Sequence, residues 1–148
     1  MTTWAHFVWL AEQTLDVLTY VWPLTGGLLA SWVVLERRAR LRDDRPRQSL
    51  LSIGFQILPA TIPIVALALG ALFACQNCSR SSLDQGIRHE WAEQVVNGLL
   101  IAQLAAASLF IWLARGRRWP TAMMQLLLLW ISLSASIVAL MSISGDWI

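Results

Sequence analysis

Cys75-Gln76-Asn77-Cys78 has the spacing of a dithiol that can close to a disulfide and reopen; beside a membrane such a pair could pass electrons to a quinone. Its setting argues against that role. A reactive thiolate is stabilised at the N-terminal end of a helix, whereas this pair follows the C-terminal end of a long apolar run, where the helix dipole opposes negative charge. A structural disulfide between Cys75 and Cys78 in an oxidising compartment is the expectation that the position supports. The second constellation is His89-Glu90-x-x-Glu93, which sets His89 and Glu93 one helical turn apart. The only other histidine is His6, and this set falls short of the four ligands of a closed metal site. An acidic helix start is therefore expected there, and no metal or cofactor is assigned.

The third set is neutral. Gln56, Asn97, Gln103 and Gln125 sit inside long uncharged runs, and polar groups at that depth must face protein or water. Hydrogen bonds between helices are the first expectation; a polar path along Gln56, Gln103 and Gln125 is the sharper one. The four runs contain no Asp, Glu, Lys, Arg or His. A proton relay or a transporter of charged substrates lacks its usual residues.

These groups must be positioned by apolar helices. Uncharged runs cover 17–35, 48–79, 94–114 and 119–145 and together make up 99 of 148 residues, while only 14% of the chain is charged. About 20 apolar residues cross a bilayer as a helix. The expectation is an all-α membrane protein, one four-helix transmembrane domain over 1–148, with helices at about 4–35, 50–74, 91–114 and 121–143. The first helix either begins as a short amphipathic helix at the interface or runs as one long tilted span. Pro23 predicts a bend near Tyr20 to Trp22, and Pro59 with Pro63 predicts a kink in the second helix. With no basic residue before Arg37, a cleaved signal peptide is not expected.

Orientation follows from arginine. Arg37, Arg38, Arg40, Arg42, Arg45 and Arg47 fall between the first two runs, and Arg115, Arg117 and Arg118 between the last two. Nine of the eleven basic residues thus lie on one side, which the positive-inside rule makes cytoplasmic. Both ends of the chain then face outward, and the expected location is the bacterial inner (cytoplasmic) membrane, as a multi-pass protein. The arginines would contact anionic lipid or a cytosolic protein partner, with nucleic acid not expected because Asp43 and Asp44 dilute the field.

Small residues predict the packing. Gly27, the stripe Ala66, Gly70 and Ala74, the stripe Gly98, Ala102 and Ala106, and the pair Ser132 and Ser136 have the spacing that lets helices approach closely. The two three-residue stripes overlap in depth, so the second and third helices are predicted to touch along them. Trp130 lies deep enough to need a partner for its indole N–H.

No residue set favours catalysis. The reading that follows is a non-enzymatic membrane subunit that packs into a homo-oligomer or a larger complex and presents its arginine-rich cytoplasmic loops to a partner. Two alternatives stand beside it: a channel-like effector or sensor, for instance of a stress or phage-defence system, and a thiol or quinone oxidoreductase at Cys75 and Cys78.

Overall fold

A computed structural model describes residues 3–42, 58–74, 90–114 and 118–145, and among these residues every regular element is helical. Five α-helices follow in order: α1 (Thr3–Tyr20), α2 (Trp22–Arg42), α3 (Thr61–Leu72), α4 (Glu90–Leu113) and α5 (Arg118–Ser144). A 3-10 turn, Leu58–Ala60, leads into α3. Helices α4 and α5 are each long and apolar enough to cross a membrane, and the α1–α2 pair makes a third span if counted as one.

That pair is bent by 83° at Val21, where the sequence predicted the break. The reason is local. Pro23 falls in the first turn of α2, where its missing N–H goes unused, so the chain starts a second helix rather than continuing the first. Of the two forms expected for the start of the chain, the described residues show a separate N-terminal helix followed at an elbow by a second. Pro59 lies in the 3-10 turn and Pro63 in the first turn of α3. The expected kink of the second span depends also on residues before Leu58, which lie outside the described residues. At 12 residues, α3 is about 18 Å long and falls short of a full span by itself; 50–57 lie outside the described residues.

Helix α5 is the hub, packing against α1, α2, α3 and α4. Over half of its most apolar stretch, 56%, is buried, against 17% for α4. Its sequence explains this: Ser132, Ser134, Ala135, Ser136, Ala139 and Ser142 are all small and buried, so neighbours can close on several sides. One core cluster joins Leu10, Leu67, Ala71, Ala135 and Val138, from α1, α3 and α5. A second joins Ala66, Ala92, Val96 and Ile143, from α3, α4 and α5. Phe73 and Trp91 add an edge-to-face ring pair at 4.5 Å between α3 and α4, a geometry that contributes about 0.5–1.5 kcal/mol beyond area burial.

The small-residue stripes divide. Ala66 and Gly70 are buried, and Gly70 lies against Ala139 of α5. Gly98 and Ala102 are exposed, and a Cβ on Gly98 would meet nothing within 4 Å. The predicted contact of α3 with α4 exists, but through Ala66, Ala92 and Val96; the stripe Gly98, Ala102 and Ala106 does not make it. Ala92, Val96, Gln103 and Ala107 form the inward face of α4 instead. Gly27 is likewise exposed with open space around it.

The arginine segment also differs from expectation. Arg37, Arg38, Arg40 and Arg42 belong to the closing turns of α2 rather than to a loop. Arginine is a good helix former, and cations at a helix C-terminus complement its dipole.

Candidate functional site

Two polar arrangements tie helices together, and a third is left unpaired among the described residues. The first holds the elbow. The Thr25 hydroxyl accepts the indole N–H of Trp130 at 3.2 Å. It donates to the Leu18 carbonyl at 3.1 Å, with the Val21 carbonyl at 3.4 Å. Leu18 O would have paired with the N–H of Trp22 in an unbroken helix, so one threonine both satisfies a carbonyl freed by the bend and clasps α2 to α5. The deep indole has the partner its position demanded.

Thr25→Val, near-isosteric, is expected to lower stability by about 1–3 kcal/mol by orphaning both groups. In a double-mutant cycle with Trp130→Phe the two losses should be less than additive. Thermal denaturation of the four proteins in detergent checks this, and full additivity would mean that the clasp is not coupled.

The second arrangement joins α1, α3 and α5. The Ser142 hydroxyl donates to the Gly70 carbonyl at 3.0 Å, and His6 Nε2 lies 2.9 Å from the Ser142 hydroxyl oxygen. Since the hydroxyl proton goes to Gly70, His6 supplies the other proton and is the Nε2–H donor. Gly70 O is one of the last four carbonyls of α3, which have no partner within the helix. His6 is thus engaged in a structural bond.

The third arrangement is the candidate site. Gln103 and Gln125 are 0% and 1% exposed, Ser132 and Ser136 both 0%. Among the described residues none of their six side-chain polar atoms has a hydrogen-bond partner. Leaving a donor or acceptor buried and unpaired costs about 1–3 kcal/mol each. A native fold rarely tolerates several such groups together.

They share one interface. Gln125, Ser132, Ser136 and Ile143 are spaced 7, 4 and 7 apart, which at about 100° per residue puts them in a single narrow line along α5. Ile143 packs with Ala92 and Val96 of α4, so this line faces α4. On α4, Gln103 follows Ala92 and Val96 at helical spacing and is buried on the same face. Antiparallel register from that contact brings Gln103 to about the level of Ser132, with Gln125 about 10 Å nearer the N-terminus of α5.

Of the residues singled out in the sequence, Gln103, Gln125, Ser132 and Ser136 are buried without partners, and helical spacing sets them along facing sides of α4 and α5. Gln56, Cys75, Cys78, Arg45, Arg47, Arg115 and Arg117 lie outside the described residues, as does His89. Arg37, Arg38 and Arg118 are exposed. Among the described residues no three His, Cys, Asp or Glu side chains converge as metal ligands. Reasoning from sequence separated Ser132 and Ser136, as packing residues, from the glutamines; the 7-and-4 spacing from Gln125 was the signal that joins them. No family model, curated protein or solved structure matches this chain.

Proposed function

We propose that the chain is a non-enzymatic membrane subunit with four spans. Both its ends face outward, and its arginine segments lie on the cytoplasmic side of a bacterial inner membrane. It acts by packing α4 against a second copy or against a helix of another membrane protein. Arg37, Arg38 and their neighbours are left to meet lipid headgroups or an acidic cytosolic partner. The observation that supports this best is the outward face of α4. A helix apolar enough to span a bilayer buries little of itself within the chain and turns Gly98 and Ala102 outward. Small residues at this spacing serve close helix contact in lipid, and among the described residues nothing packs on Gly98.

Gly98→Leu tests the reading. With nothing within 4 Å of the new Cβ, and a better helix former in place of glycine, the fold of the single chain should be as stable as before. The oligomer should be lost, seen as a drop in mass by light scattering in mild detergent. An unchanged assembly with both wild-type and variant chains would move the contact elsewhere. A second reading, a channel-like effector or sensor, draws on the unpaired polar line between α4 and α5.

A further inference from the structure

We propose that the α4–α5 seam is a hydrated crevice that binds small uncharged polar solutes, water included, and ends at an apolar plug. Gln103, Gln125, Ser132 and Ser136 are fully buried and without partners, and helical spacing aligns them on facing sides of α4 and α5. Two amides and two hydroxyls offer donors and acceptors in nearly equal measure. A ligand that satisfies them must do the same, as water, a polyol or a urea-like amide does.

The seam contains no formal charge among the described residues, so an ion entering it would lose hydration without a counter-charge. Beyond Ser136 the line closes with Ala66, Ala92, Val96 and Ile143, a purely apolar cluster. Toward the other end it continues to Thr121, buried in the first turn of α5. Ala107, small and buried on α4, falls between the levels of Gln103 and Gln125. The inference concerns the interior of one chain and does not depend on the assembly proposed above.

The test is thiol accessibility in proteoliposomes, in the full chain carrying Cys75→Ser and Cys78→Ser. Ser132→Cys and Ser136→Cys place a near-isosteric thiol in the seam; Ile101→Cys places one on the exposed face of α4, where Ile101 is 68% exposed. The probe is uncharged 2-hydroxyethyl methanethiosulfonate, which reacts with thiolate and hence with hydrated thiols. Labelling at 132 or 136 should be at least about tenfold faster than at 101. Glycerol should slow it, and adding Gln125→Leu should reduce it. Two seam positions guard against one variant failing to fold. Equal rates at all three positions would overturn the proposal by showing a dry seam. Equally fast labelling by the ammonium analogue, with slowing by sodium ion but not by glycerol, would overturn it in favour of a cation site.

Discussion

Gly70→Leu is expected to leave no folded protein. A Cβ at position 70 would stand 2.9 Å from Cα of Ala139, 3.0 Å from its Cβ and 3.3 Å from Cδ1 of Leu10. The nearest of these is backbone, so no rotamer change relieves it: α3 and α5 must part. Because α5 also packs on α1, α2 and α4, a shift there reaches those interfaces as well. Even the single methyl of Gly70→Ala should destabilise by about 1–3 kcal/mol, the usual range for overpacking. Ala139→Gly should rescue it only in part, since Cα of residue 139 remains in place. Leucine adds three further carbons where one does not fit. Size-exclusion chromatography in detergent should show Gly70→Ala as a monodisperse protein with a lowered Tm and Gly70→Leu as aggregate. A Gly70→Leu protein with the wild-type Tm would show that the α3–α5 contact is not as close as described.

The contrast between Gly70 and Gly98 shows what the sequence could reveal. Both sit in small-residue stripes of the same spacing, and periodicity assigned both to close helix contact. One is pressed against α5, the other faces outward. Spacing reports that a helix can be approached; it does not say by what. Likewise on α1, Trp4, Phe7, Val8, Ala11 and Leu15 recur at helical spacing, yet only Phe7 and Ala11 pack against the core beside buried Leu10, while Trp4, Val8 and Leu15 are exposed and Thr14 is buried. Thr14 buries because its hydroxyl donates to the Leu10 carbonyl at 2.9 Å and so carries no unmet polarity inward. Helix α4 and the Val21 break were legible, and the start of α5 came three residues early, because charge gaps and proline act locally. The partner of Trp130, 105 residues away, was not. Which faces meet depends on how several helices share α5, and no single periodic pattern contains that.

Ser142→Ala should produce the second large effect, through polarity rather than volume. The hydroxyl is buried and bridges the Gly70 carbonyl and the His6 imidazole. Alanine leaves the carbonyl at the close of α3 without a donor, because the following cap bond runs from the Phe73 N–H to Leu69 O instead. That loss should amount to about 1–3 kcal/mol; the low polarity of the surroundings pushes it toward the upper end. His6 is only half-buried, so its N–H regains part of its bonding elsewhere and contributes less. His6→Ala alone should therefore be milder than Ser142→Ala, and the pair of substitutions together less than additive. Ser142→Thr keeps the hydroxyl and should retain more stability than alanine if its methyl finds space. Thermal unfolding in detergent measures all four. A Ser142→Ala protein as stable as the wild type would mean that the Gly70 carbonyl finds another donor, and the coupling of α1, α3 and α5 would then rest on apolar contact alone.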